Sequence, residues 1–527
     1  MANLFSTMSN RIGAAIGGWL SPFMGGGNPT YEMPREDLAR RYATLRNYYN
    51  GDHTPQLKSL DGQSDHITQN WAGNIIDKGV SRLLRGDVKF ALPETSTEQQ
   101  EYIDKVWVLN KKPILLTQYA LQGGVYGTPY FKICPDEVQD PFTNEMYPRL
   151  IALDPELVRI HVSNDDASEV HAYVISYTNG NKAHWEITYR SDMQWLFDAN
   201  NNLVITHNEK TEEAEGEQVE AEKTWVVDVV EQHGGMPRQV VNSTPWEYPF
   251  PPILHQKNLP SLRNCYGDSD FDDIINIQDK SNFVVGNTNK IVKFFANPIT
   301  FIFGISAKGM KENKLDSAVG SIYAIPDKDA KAMNLEMSSD LTSSRNLAQD
   351  LKKSIYEIGR EVSMDSIGDN LGQLTNFALR VLYSDAVDKN ETKRWLYADA
   401  LKELNRRLLV LTDKWKGADT DPGDVIWGEA LIINVMEEME TDQLALSMKV
   451  VDLETVTRRY ESRYGVAYDD IQKKLAEQTK AANANNSNIG AEILRRFNQG
   501  QGAENAQRVN GNADNNAART IPAQANQ

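Results

Sequence analysis

The chain has 527 residues, too many for one ordinary core, so two or more structural units are expected. Hydrophobic residues at 40% and charged residues at 24% give a globular composition, and Cys134 and Cys265, the only cysteines, exclude a disulfide framework or a zinc-type cluster and suit a reducing compartment. A net charge of -18 with a pI near 5.0 excludes static wrapping of nucleic acid on a basic footprint.

At the N-terminus, Phe5, Ile12, Ile16, Trp19 and Leu20 fall near helical spacing before Gly25-Gly26-Gly27. With few cations beside it, this segment reads as an arm (1–30) that packs on its own or a neighbouring subunit rather than as a membrane-surface helix. No stretch reaches the length of a membrane span, and no signal-peptide pattern is present, so a soluble, unexported protein is expected.

Leu38, Tyr42, Leu45 and Tyr49 predict a helix broken at Asn50-Gly51-Asp52. Trp71, Ile75, Ile76, Val80 and Leu83 predict a second, stopped at Gly86. A third covers 96–108, and Pro113 opens the next segment. From Gly123 to about Val230, short runs rich in Val, Ile, Tyr and Trp predict antiparallel strands, such as those over 173–177 and 184–189. The acidic stretch 209–222 has little to bury and is expected as a solvated loop.

Asp268, Asp270, Asp272 and Asp273 crowd the start of the next helical pattern, and Lys290 and Lys293 fall near its end, before Pro298. Its seam is Ile274, Ile277, Ser281, Val284, Thr288, Ile291 and Phe295, a rod of about 28 residues and roughly 40 Å. Strand-like runs at 299–303 and 321–325 enclose a turn carrying Lys308, Lys311 and Lys314. A second rod starts near Ser338 or Ser339 and steps through Leu347, Leu351, Ile355, Ile358 and Val362. A polar break over 363–374 contains Gly368, Asp369, Asn370 and Gly372.

A very long helical pattern follows over 375–416, with Leu404, Leu408, Leu411 and Trp415 on its late seam; at about 1.5 Å per residue it would reach roughly 60 Å, so it is expected to kink or to cross the whole subunit. Strand-like runs at 425–427 and 430–433 precede a helical group over 437–478, a short helix over 489–497 and a tail over 499–527 expected to be disordered.

The chemistry-bearing residues are few. Asp365, Asp369 and Asn370 lie in a glycine-containing stretch without histidine, which favours a mobile polar loop over a metal or acid–base site. The eight histidines lack HExxH-like spacing, and no Gly-Lys dipeptide exists to build a P-loop. Lys308, Lys311, Lys314, Lys352 and Lys353 are candidate contacts to DNA or an acidic partner, although solvated lysines give the same pattern. No catalytic residue, cofactor or metal is expected.

The order of elements resembles the phage portal family of the SPP type. The residues carrying the resemblance are Asn70-Trp71 through Ile76 and Asp77 with Leu84-Arg85-Gly86, then Tyr266-Gly267-Asp268-Ser269-Asp270 with Ile274-Ile275 and Gln278-Asp279. Further matches are Asp369-Asn370-Leu371-Gly372 with Asn376 to Arg380 and Leu382-Tyr383-Ser384, and Trp427-Gly428-Glu429-Ala430 with Asn434, Glu437 and Glu440. One departure is Thr375-Asn376, where the family often has Ser-Gly.

The resemblance implies an α+β, mainly α, portal fold: a wing (31–265 completed by 375–436), a two-helix stem (266–297 and 338–362), a β-containing clip (298–337) and a helical crown (437–498). It implies a tunnel loop facing DNA, formed by Ser363, Met364, Asp365, Ser366, Ile367, Gly368, Asp369, Asn370, Leu371 and Gly372. The implied function is a homo-oligomeric ring, usually a dodecamer, at one capsid vertex of the virion, assembled in the host cytoplasm. It would serve genome packaging, head–tail connection and DNA ejection. The implied partners are double-stranded DNA in the channel, the terminase large subunit, a head–tail adaptor, and major capsid and scaffolding proteins. The acidic charge agrees with a channel in which strong phosphate contacts would impede sliding. A non-channel scaffold or adaptor is the alternative, and a packaging enzyme a weaker one.

Overall fold

The computed structural model describes residues 32–52, 67–93, 96–163, 166–198, 203–207, 224–261, 265–296, 300–303, 322–325, 332–334, 341–363, 376–412, 421–431, 435–457 and 472–478. It is a mixed α+β fold in two units, 1–432 and 433–527. The arm, the acidic stretch, the helix over 489–497 and the tail lie outside the described residues.

Helix α1 (Arg35–Asn50) buries Leu38, Tyr42, Leu45 and Tyr48 and ends where Gly51, at φ 83, turns the chain left-handed. Tyr48 thus takes the inward position expected of Tyr49. Helix α2 (Trp71–Leu83) is capped by Asn70, whose side chain accepts from Gly73 N. It stops before Gly86, a correction to the expected end. Gly86 (φ +77) instead forms a turn packed on Gly428, and a Cβ there would sit 3.0 Å from Gly428 Cα.

Strand β1 (Lys89–Ala91) leads to α3 (Thr97–Leu109) and α4 (Lys112–Tyr126), joined by Lys111 at φ 54, with proline in the first turn of α4. Gly123 and Gly124 belong to α4, so the strands begin at Tyr130. β2 (Tyr130–Gln139) and β3 (Met146–Leu153) pair with β11 (Ile253–His255). β4 (Val158–Val162), β5 (Val170–Asn179), β6 (Lys182–Arg190), β9 (Trp225–His233) and β10 (Gln239–Trp246) form an antiparallel sheet in the order β10-β9-β6-β5-β4. β7 (Met193–Phe197) and β8 (Leu203–His207) form a separate hairpin. The helices pack on the three-stranded sheet, with the Tyr119 and Phe131 rings stacked at 3.8 Å. Trp107 is buried, with its indole N–H donated to Asn405 Oδ1.

The first rod opens as a 3-10 turn (Asp272–Ile274) and continues as α5 (Ile275–Ala296), so its 22 α-helical residues span about 33 Å. The expected 28 residues and the placing of Asp268 and Asp270 inside the helix are corrected: Asp270 N and Ser269 Oγ bond to Gly124 O of α4, Asp268 N to Leu259 O and Gly267 N to Thr128 Oγ1. Strands β12 (Thr300–Phe303), β13 (Ile322–Ile325) and β14 (Ala332–Asn334) form one small sheet. β12 pairs parallel with β13 and antiparallel with β14, a strand the residue pattern did not reveal. Helix α6 (Thr342–Ile358) returns along α5, shorter than the expected 338–362 because Arg360 turns at φ 54.

The long helical pattern is interrupted, as its length leads one to expect. α7 (Asn376–Leu382) and α8 (Ser384–Val410) meet at Tyr383, where the Ser384 hydroxyl takes the Val381 carbonyl and the backbone leaves helical geometry. β15 (Asp424–Ile426) pairs with β1. The strand expected at 430–433 is not formed at Ala430 and Leu431, which lie in a bend after the close contact between Gly428 and Arg85 O.

In the second unit, α9 (Val435–Ser447) is separated from helical turns at 453–457 and 472–478, so the helical group is segmented. Lys449, at φ 58, supplies the first break. Among the described residues no helix is long and apolar enough to cross a membrane.

Candidate functional site

The sequence concentrates candidates around the end of the second rod, and there the structure builds a buried ionic junction. It starts with two glycines in backbone contact: a Cβ on Gly267 would lie 2.2 Å from Gly127 O, and one on Gly127 would lie 2.3 Å from Gly267 O. Asp270 N and Ser269 Oγ both donate to Gly124 O, at 3.0 and 2.9 Å. Arg41 reaches from α1 to Gly267 O and to Asp272 at 2.8 Å. These bonds drive Asp270 inward, where α8 supplies Lys393 Nζ at 2.8 Å and Lys389 Nζ at 3.4 Å, and Asn258 donates at 3.2 Å. Burial alone would raise the Asp270 carboxyl, but the two ammonium groups and the Asn258 amide outweigh it and hold the pKa well below the carboxylate range. Burial pulls the Lys393 ammonium down, with Asp270 opposing and Lys389 reinforcing.

The second pair is Glu361 with Arg82 of α2, a buried two-pronged contact at 2.6 and 2.7 Å. Around it α2 and α8 grip the end of α6: Tyr356 Oη donates to Asn74 of α2 at 3.0 Å, Lys78 Nζ of α2 to Val362 O at 3.3 Å, and Lys389 Nζ of α8 to Gly359 O at 3.2 Å. Lys352 Nζ sits 4.7 Å from the Trp71 ring centroid. Gly359 lies so close to Ile75 that a Cβ would meet its Cδ1 at 2.9 Å. Beside the junction a cavity of about 420 Å³ is walled by Asp268, Asp272, Asp273, Ile358 and Arg360, among others. Burial raises the Asp268 carboxyl; Arg41 opposes this, while Asp272 and Asp273 add to it.

Of the sequence-predicted loop residues, Ser363 is buried at the end of this junction, and Met364 to Gly372 lie outside the described residues. Lys308, Lys311 and Lys314 lie outside them too. Lys352 is engaged with Trp71, and Lys353 is exposed and 3.6 Å from Glu357. Sequence reasoning missed Arg82, Asp270, Glu361, Lys389 and Lys393 as a group. A signal existed: Ala386, Asn390, Lys393, Tyr397, Leu401, Leu404 and Leu408 follow one helical seam, so Asn390 and Lys393 occupy core positions.

All five charges are buried or nearly so and mutually paired, which suits mechanical fastening. Among the described residues no group of three or more His, Cys, Asp or Glu could hold a metal ion.

The family model described as phage portal protein, SPP1 Gp6-like, matches residues 34–484. The chain belongs to this phage portal family. No curated protein matches it. Portal proteins of this family are structural components of the capsid vertex rather than enzymes, and membership gives the chain an oligomeric, capsid-associated role. The junction therefore belongs to a portal subunit, fastening the two rods and the chain as far as Ser363 to α2, α4 and α8.

Proposed function

We propose that twelve copies form a ring whose bore conducts double-stranded DNA during packaging and ejection. In this reading α5 and α6 are the stem, 298–337 the clip, 31–265 with 375–436 the wing and 437–498 the crown. The segment 363–372 is the tunnel loop, and the buried junction transmits its movements to the stem. The clip meets the terminase large subunit during packaging and a head–tail adaptor afterwards; the body of the ring meets major capsid and scaffolding proteins during assembly in the host cytoplasm.

The observation carrying the ring is the stem itself. Its paired helices leave Phe283, Val292, Leu347 and Ile358 between 43% and 46% exposed, with Phe283 and Val292 nine residues apart and so on opposite faces of α5, apolar surface that one subunit does not cover. Neighbours related by rotation about an axis would cover it and close the ring.

Electron microscopy of the purified chain and of assembled particles tests this: rings with a central hole are expected, and strictly monomeric subunits even in particles would refute it. Shortening 364–372 should stop packaging while leaving rings intact; unchanged packaging would remove the loop's assigned role.

A further inference from the structure

One side chain of α2 reaches the chain on both sides of residues 364–375. On the near side, the turn at Arg360 (φ 54) closes α6 with Glu361 N on Tyr356 O at 2.8 Å, and the Glu361 carboxylate receives Arg82 Nη1 and Nη2 at 2.6 and 2.7 Å. On the far side, the Arg82 guanidinium carbon sits 5.7 Å from the centroid of the Tyr383 ring, at the break between α7 and α8. We propose that Arg82 is a positioning residue that ties both ends to α2 at once, so that a displacement of either end loosens the other.

The two contacts do not compete. A guanidinium donates in its own plane and stacks through its face, so its edge serves Glu361 and leaves its face for Tyr383. They also reinforce each other. The Tyr383 ring covers charge that would otherwise meet water, and an ion pair shielded from water is stronger; in turn, Glu361 fixes the orientation of the plane on which the ring rests.

The anchor is firm and the far end is not. On α2, Ile75, Ile76, Val80 and Leu83 are no more than 6% exposed. On α7, Phe377, Val381 and Leu382 are 76%, 57% and 36% exposed, so apolar packing within the subunit does little to fix its direction. That the two ends border a DNA-facing loop rests on the function proposed above; the tie does not, because it is read on the purified chain.

The test is native-state hydrogen exchange of the full chain, measured at both ends in each variant. Tyr383→Leu should accelerate the amides of Gly359 and Glu361, on the other side of the segment, about fivefold to tenfold, as loss of a partly desolvated cation–π contact would. Tyr383→Phe keeps a ring and should stay within about twofold of the natural chain. In the reverse direction, Glu361→Gln should accelerate Val387 N, which is bonded to Tyr383 O, because coupling between two contacts is reciprocal. Acceleration confined to the mutated side in both Tyr383→Leu and Glu361→Gln, or equal effects of Phe and Leu at 383, would overturn the proposal and leave two independent contacts. Should the exchange coupling hold while Tyr383→Leu particles package DNA normally, the tie stands and the loop's assigned role falls.

Discussion

Glu361 and Arg82 are 279 residues apart in sequence and meet with side chains 3% and 10% exposed, through oxygens 2.6 and 2.7 Å from the two guanidinium nitrogens. Glu361→Gln keeps the shape but leaves Arg82 as a buried cation without its counter-charge. Breaking one side of such a pair costs about 3–5 kcal/mol. The loss should be local, because Gly359 N bonds to Ile355 O and Glu361 N to Tyr356 O at the turn this pair holds. Native-state hydrogen exchange at Gly359 and residue 361 should accelerate at least about a hundredfold, the equivalent of about 3 kcal/mol, while amides near Leu404 in the core of α8 keep their rates. Replacing both partners with apolar residues (Arg82→Met with Glu361→Leu) should recover most of the protection, since the desolvation cost of both charges disappears together. An acceleration below about threefold in Glu361→Gln, or additive effects in the cycle within about 0.5 kcal/mol, would refute the view that this pair fastens the second rod.

Gly267→Ala should lower stability by about 3 kcal/mol or prevent folding, because the new methyl would lie 2.2 Å from Gly127 O with backbone on the other side as well; a melting curve decides it. The His255 ring is half-buried and hydrogen-bonded to Tyr173 Oη, and desolvation, with Arg407 and Lys257 nearby, lowers its pKa from 6.5 to about 4. The unfolded chain binds this proton more readily, so stability should fall as pH drops from about 6.5 towards 4, by up to about 3 kcal/mol, a slope that His255→Gln should remove from denaturant titrations. Asp270, held below its ordinary value, adds stability above the unfolded carboxylate pKa that is lost on further acidification. Val292→Asp with Leu347→Asp should leave the monomer folded but prevent ring assembly in native mass spectrometry; intact rings would show that these two exposed stem positions are not in the subunit contact.

Much of the architecture was written in local patterns. The 3.6-residue spacing of Leu38, Tyr42 and Leu45, the runs of β-branched and aromatic residues over 173–177 and 184–189 and the glycine after Asn50 each act over a few residues, so they mark helices, strands and stops without knowledge of the fold. The rod, strand, strand, rod order was legible for the same reason, and so was the family to which it points. Local patterns failed where a distant backbone intervened. Asp270 looked like a helix-start acid because acids favour that place, but Gly124 O captures its N–H and the turn carries its carboxylate to Lys389 and Lys393. The break at Tyr383 depends on one hydroxyl competing with the helix backbone, which a count of apolar spacing does not register.

The sequence by itself determined the type and approximate place of most segments, because side-chain spacing sets which face can leave water. Only the tertiary structure decided which charges are neutralised: Arg82 with Glu361, and Asp270 with two lysines more than a hundred residues away. Such pairing is a matter of distance and burial, and a charged residue in a sequence carries neither until the chain has closed around it.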